Sequence, residues 1–244
     1  EVKPKMTATQ VGDEPLQFKR KFKHIKVYVE SDRKYGIEQI EKNNPDINLI
    51  LLDDAYQHRR VKAHINILLT TFTNPFYRDF ILPVGRLRES RHAKNRADLI
   101  IVTKCPDDLS SDEIQDIKKQ ISADQDQKIL FSKIKYDEKI YSQTETIDLK
   151  TFDNFCLVTG IANPKPLTQF LKYHQKTFNH LKFNDHHNFT SKEIDNLKSI
   201  KKPILTTEKD FTRLSHSIQR NIFYIPIDVK LDKDLKPLLN IKPQ

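Results

Sequence analysis

Four short groups of residues carry the side chains that phosphate, metal or proton chemistry needs. Gly12-Asp13-Glu14-Pro15 sets two adjacent carboxylates between a glycine and a proline. In residues 48–60, the apolar run Leu49-Ile50-Leu51-Leu52 leads straight into Asp53-Asp54 and then a polar, basic turn. Arg88-Glu89 lies in the basic segment 82–91, and Asp185-His186-His187 follows a short extended piece. Carboxylates and arginines at strand ends suit phosphoryl transfer, where positioning and charge neutralisation supply most of the catalysis. Asp53 and Asp54 can hold a magnesium ion that also touches substrate phosphates, or they can form a solvated turn after a buried strand. A histidine within reach of a carboxylate makes a base dyad. A metal pair from His186 and His187 fits less well, since neighbours in an extended segment point oppositely, and a solvated pair is the plain alternative.

The elements that must position these groups alternate along the chain. Strands are predicted at 25–29, 48–52, 65–69, 97–104 and 129–136, the acidic pair falling at the carboxyl end of the second. Ser31-Asp32-Arg33 predicts a helix start with Ile37 and Ile40 on one face, and Ser110 with Glu113 predicts a capping box. Residues 137–153 lack a period and predict a connection. A second series then follows: strand 155–160, helix 164–174, an extended piece at 181–183, a Thr190/Glu193 capping box, strand 203–207 meeting Glu208-Lys209-Asp210, and a last strand at 221–229. Gly12 and Pro15 predict a turn. This alternation predicts an α/β protein of two lobes, 1–136 and 154–244, joined by 137–153.

The 244 residues can bury one large core or two smaller ones. The net charge of +9 favours anionic partners: phosphorylated substrates, nucleic acid or an anionic membrane surface. No basic motif interleaved with aromatics, as in RNA-binding modules, is present. Cys105 and Cys156 form neither a disulfide framework nor a zinc cluster, which predicts a reducing compartment. No apolar run approaches the roughly 18 residues that span a bilayer. The four glycines, Gly12, Gly36, Gly85 and Gly160, include no G-x-x-x-x-G-K-[ST] loop.

Taken in order, six motifs resemble the tetraacyldisaccharide 4′-kinase (lipid A 4′-kinase) family. They are Gly12-Asp13-Glu14-Pro15, Asp53-Asp54-Ala55-Tyr56-Gln57-His58-Arg59, Leu82-Pro83-Val84-Gly85-Arg86-Leu87-Arg88-Glu89, Gly160-Ile161-Ala162-Asn163-Pro164, Asp185-His186-His187 and Thr206-Thr207-Glu208-Lys209-Asp210. The resemblance implies a P-loop-NTPase-like parallel sheet, incomplete at the amino terminus, plus a second, smaller α/β/α lobe. It implies a kinase that moves the γ-phosphate of ATP to the 4′-hydroxyl of a tetraacyldisaccharide 1-phosphate lipid, giving lipid IVA, at the cytoplasmic face of the bacterial inner membrane and without nucleic acid. Asp13 would then accept the hydroxyl proton, with His186 tuning or orienting it. Asp53, Asp54 and Glu89 would hold or orient Mg²⁺, and Arg88 and Arg33 would neutralise phosphate charge. Glu14, Gln57 and His58 match family positions in the substrate- or phosphate-binding set. Ala55 and Tyr56 replace the family's usual glycine and phenylalanine, and 76–79 departs from its usual loop. Because the family's P-loop precedes the Gly-Asp-Glu-Pro motif and the chain begins at Glu1, a truncated chain with little or no activity is the expectation. The rivals are a non-catalytic basic module binding an anionic partner and a magnesium-dependent phosphohydrolase.

Overall fold

Helices begin in this chain where a side chain can satisfy the first free N–H groups, and strands form where a neighbour supplies the ladder. The computed structural model describes residues 1–185 and 187–238. It groups them into two units: residues 1–31 with 136–228, and 32–135 with the segment from 229 onward. The sequence places 1–31 with the residues that follow them. Their grouping with 136–228 instead comes from helix packing described below.

The first unit opens with α1 (Ala8–Val11) and α2 (Asp13–Lys21). The turn predicted at 12–15 is shorter than expected. Gly12, at φ 89°, turns the chain alone, and Asp13 and Glu14 already occupy the first turn of α2. Carboxylates are favoured there by the helix dipole, and Pro15 is tolerated because first-turn amides have no helical acceptor. The strand predicted at 25–29 is not formed. The Val27 carbonyl accepts from the Val2 amide, but the segment does not take strand form and Val29 is exposed.

In the second unit, Asp32 accepts from the amides of Lys34 and Tyr35 and starts α3 (Arg33–Asn43), as its sequence predicts. The predicted strand at 48–52 takes no regular secondary structure, and Leu51 is 83% exposed. Apolar composition alone does not make a strand when no neighbouring backbone takes up its N–H and C=O groups. Asp53 and Asp54 therefore follow an irregular segment rather than a strand. β1 (Ile67–Thr71), β2 (Leu99–Thr103) and β3 (Lys128–Tyr136) pair in parallel, in that order. Between β2 and β3 runs α4 (Ser111–Ile121), whose Ser110/Glu113 capping box is present as predicted. β2 alternates cleanly. Ile100 and Val102 pack with Ile117 and Ile121 of α4, while Leu99 and Ile101 pack with Leu130 and Leu231.

Back in the first unit, the expected connection at 137–153 contains the antiparallel pair β4 (Lys139–Tyr141) and β5 (Thr146–Asp148). Then come β6 (Phe155–Thr159), α5 (Lys165–Tyr173), β7 (Phe178–Lys182), α6 (Ser191–Lys198), β8 (Ile204–Thr207), α7 (Glu208–Leu214) and β9 (Ile222–Ile225). The sheet order is β5-β4-β9-β8-β6-β7, with β9, β8, β6 and β7 parallel. The single strand predicted at 221–229 is interrupted at Pro226, which has no N–H to donate. Beyond it, β10 (Ile227–Leu231) joins the four-stranded sheet next to β3. One core face holds Phe155, Leu157, Leu205 and Phe223; the other holds Cys156, Val158, Ile204 and Ile222. Among the described residues, no helix is long and apolar enough to cross a membrane.

Leu205 is fully buried on a strand flanked by two others. Leu205→Ala is expected to cost about 2–5 kcal/mol, through lost burial plus the cavity left behind. Leu51→Ala is expected to change stability by less than about 0.5 kcal/mol. Urea denaturation of both variants, with an unchanged slope, is the check; equal costs would contradict the assigned burial.

Candidate functional site

In the first unit, α7 is the element around which the chemistry-bearing residues gather. It starts where β8 ends, and Thr207 caps it by accepting from the Asp210 amide. Asp210 is fully buried. Its Oδ2 accepts from the Gly160 amide and the Thr207 hydroxyl, each at 2.8 Å, and its Oδ1 accepts from Arg213 Nη1 at 3.2 Å. A Cβ on Gly160 would lie 2.9 Å from Asp210 Oδ1, so the glycine is required by close approach.

Arg213 also reaches α2. Its Nε donates to Asp13 Oδ2 at 3.2 Å, and its Nη2 donates to the same oxygen. Further ties hold α2 on α7: Lys21 to Glu208 at 3.0 Å, and Arg20 to the Thr212 carbonyl at 3.4 Å. Burial opposes ionisation of Asp13, but the hydrogen bond and charge of Arg213 outweigh it, helped by Asp13's own amide and by Lys209. The carboxyl is therefore held below its ordinary value. Lys209 lies 3.6 Å from Glu14 and 3.9 Å from Asp185, linking the Gly-Asp-Glu-Pro and Asp-His-His motifs. His186 lies outside the described residues. His187 meets the Glu193 carboxylate at 3.0 Å, and Glu193 also closes the α6 capping box, so this histidine belongs to a helix start.

In the second unit, Asp54 and Arg88 form a two-pronged ion pair, and Asp53 Oδ1 accepts from the Asp54 amide at 3.0 Å. Asp54 has φ 45°, an uncommon conformation that asparagine and aspartate tolerate best. Its carboxyl is lowered mainly by the Arg88 hydrogen bond, with smaller charge effects from His58 and Arg33. Gln57 and His58 lie exposed on the following turn. Glu89 is gripped by Arg96 through two bonds, of 2.7 and 3.0 Å, and by Arg59 at 2.8 Å. The Arg96 hydrogen bond is the largest cause, and Arg59 the next favourable one, of a Glu89 carboxyl lowered to about 2. Arg96 is itself placed by Tyr56. Its guanidinium lies 4.6 Å from the ring centroid and donates to the Tyr56 carbonyl at 3.2 Å, while the Tyr56 hydroxyl donates to the Ala93 carbonyl.

Hard oxygen donors on Asp53 and Asp54 suit Mg²⁺, which takes one or two carboxylates and keeps several waters. Among the described residues, no group of three His, Cys, Asp or Glu side chains is set for a metal, and the Glu89 oxygens are already shared by two arginines. Sequence reasoning missed Asp210, Arg213 and Arg96. Asp210 stands inside a quoted motif, and Arg213 follows it by three residues on the same helix, a spacing that signals contact once the helix is known. Nothing in the spacing singles out Arg96.

Two α/β units, each with carboxylates held ionised by arginines, define a protein equipped for chemistry on anionic groups. The chain belongs to the tetraacyldisaccharide-1-P 4′-kinase family, whose model matches residues 1–243. It is 44% identical over 234 residues to a tetraacyldisaccharide 4′-kinase of Flavobacterium psychrophilum, covering 92% of this chain and 67% of the relative. It is 41% identical over 223 residues to that of Flavobacterium johnsoniae, covering 89% and 65%. The crystal structure of an "apo" form of LpxK from Aquifex aeolicus in complex with ATP has a TM-score of 0.72 at 22% identity, covering 97% of this chain and 69% of that one. That likeness bears out the mixed α/β fold with parallel sheets. The chain thus spans about two thirds of the length of the relatives it matches.

Removing the Arg96 grip is expected to raise the Glu89 carboxyl from about 2 back towards its ordinary value near 4.5. Because the folded-state value is depressed, the stability from this grip is present above the unfolded value and is lost as pH falls from about 4.5 towards 2. Carboxyl-detected NMR titration of wild type and Arg96→Met checks this. An unmoved Glu89 would show that Arg59 alone suffices.

Proposed function

We propose that this chain carries the acceptor- and charge-handling residues of a tetraacyldisaccharide 4′-kinase. The reaction transfers the ATP γ-phosphate to the 4′-hydroxyl of a tetraacyldisaccharide 1-phosphate lipid. The observation that carries the reading is Asp13, held ionised at the first turn of α2 by Arg213, in a chain whose relatives are named for this activity. Asp13 accepts the proton of the attacking hydroxyl. His186, next to Asp185, orients or tunes it, and Glu14 and Lys209 line the same helix ends.

In the second unit, Arg88 and Arg33 neutralise phosphate charge, and Asp53 and Asp54 would hold Mg²⁺, which when bound neutralises phosphate oxygens. Glu89 would orient that ion's surroundings rather than ligate it first, because Arg96 and Arg59 already share its oxygens. Gln57 and His58 belong to the same group, without a separable role. The surplus of basic residues supports peripheral work at an anionic membrane surface, the cytoplasmic face of the inner membrane.

In the protein expressed from its complete coding sequence, Asp13→Asn is expected to lower turnover by about 10²- to 10⁴-fold, the usual worth of a positioned general base, with ATP affinity nearly unchanged. Radiolabelled transfer from ATP to the lipid acceptor measures the first, and nucleotide titration the second. Wild-type turnover would remove Asp13 from the reaction. Phosphate release from simple phosphoesters without ATP would favour the hydrolase instead.

A further inference from the structure

Arg213 is more deeply placed than a surface ion-pair partner, its side chain being 9% exposed. Through Nη1 it holds Asp210, and through Nε and Nη2 it holds one oxygen of Asp13. Asp210 in turn is fixed by the backbone amide of Gly160, just past β6, and by the cap of α7, just past β8. The two strands are themselves paired, and the Thr206 hydroxyl donates to the Val158 carbonyl at 2.7 Å. A continuous chain of hydrogen bonds thus runs from the central strands to a single Asp13 oxygen. The planar guanidinium bridges the two carboxyl groups with separate N–H groups, which a lysine ammonium on its flexible stem does not reproduce.

We infer that Arg213, braced by the buried Asp210, is the positioning residue that aims the Asp13 carboxylate at the acceptor's proton. The inference rests on the reading of Asp13 as the base. Besides Arg213, the charged groups placed near are Glu14, next to Asp13 on its own helix, and Lys209 on α7, which itself meets Glu14 and Asp185. Lys209 is the one of these whose charge acts on Asp13 in the same direction as Arg213.

The test uses Arg213→Met, Arg213→Lys and Asp210→Asn in the protein expressed from its complete coding sequence, with circular dichroism and thermal melting to select folded variants. Arg213→Met is expected to lower kcat by about 10²-fold, the scale of a misplaced reacting group, with KM for ATP and lipid within about twofold. The acid limb of its pH profile should move to higher pH, because the depressed Asp13 value is released upward. Arg213→Lys should keep the limb near its wild-type place, since it keeps the charge, yet still lose kcat, since it loses the bridge. Asp210→Asn should lose kcat with Arg213 intact, and it keeps the proposal testable if Arg213→Met does not fold. A purely structural pair predicts lower melting temperature with kcat and the acid limb unchanged in the folded variants, and that result would overturn the inference. An inactive Asp13→Asn alongside such variants would leave the base reading standing and sink only the role of Arg213. An active Asp13→Asn would sink both.

Discussion

A buried carboxyl group with every contact accounted for is the constraint on which the first unit depends. Asp210 has no access to water, so its two oxygens must find donors inside the protein or the fold loses several kcal/mol to desolvation (about 3–5 when one partner of a buried pair is removed). It finds a backbone amide, a hydroxyl and a guanidinium, and each belongs to a different feature. The amide fixes the end of β6 and demands a glycine at 160. The hydroxyl fixes the start of α7. The guanidinium carries the constraint onward to α2. Among the described residues, no buried side-chain nitrogen or oxygen is left without a partner, so this network is complete rather than strained.

The second unit solves a related problem at its surface. Glu89 is held by two arginines and one of them is held by an aromatic ring, so its oxygens point in directions set by Tyr56 and Ala93 rather than by solvent. The Tyr56 hydroxyl donates to the Ala93 carbonyl while its ring faces the Arg96 guanidinium. This one side chain anchors the turn carrying Arg59 to the segment carrying Arg96.

Much of the fold was legible because local chemistry and tertiary context agree. Both capping boxes, at Ser110/Glu113 and Thr190/Glu193, form as written, and so do the Asp32 cap and the continuous apolar strands β2, β6 and β8. The failures have a common cause. Residues 25–29 and 48–52 have strand composition, but a ladder is a property of two segments, and one segment's residues cannot declare whether its neighbour is there. The motif at 12–15 reads as a turn because glycine and proline punctuate turns. Proline is equally at home in the first turn of a helix, and φ at Gly12 decides between the two. For the site, sequence motifs located the carboxylates but not what holds them, since Asp13 and Arg213 are brought together only by the packing of α2 on α7.

Depth separates the two arginine–aspartate pairs into different kinds of device. Arg88 and Asp54 are 55% and 70% exposed, and a pair in that setting is worth about 0–1 kcal/mol. On the proposed reading, a substrate phosphate would offer Arg88 the same two-pronged hydrogen bonding with more charge, and Asp54 would be released to a cation at little cost. Arg213, 9% exposed and committed on its far side to a fully buried partner, has no such freedom. Turning it from Asp13 would strand charge away from water, so on the same reading that contact would hold while the other is remade. The carboxylate proposed to keep one aim is tied to the core, and the one proposed to change partners is left at the surface.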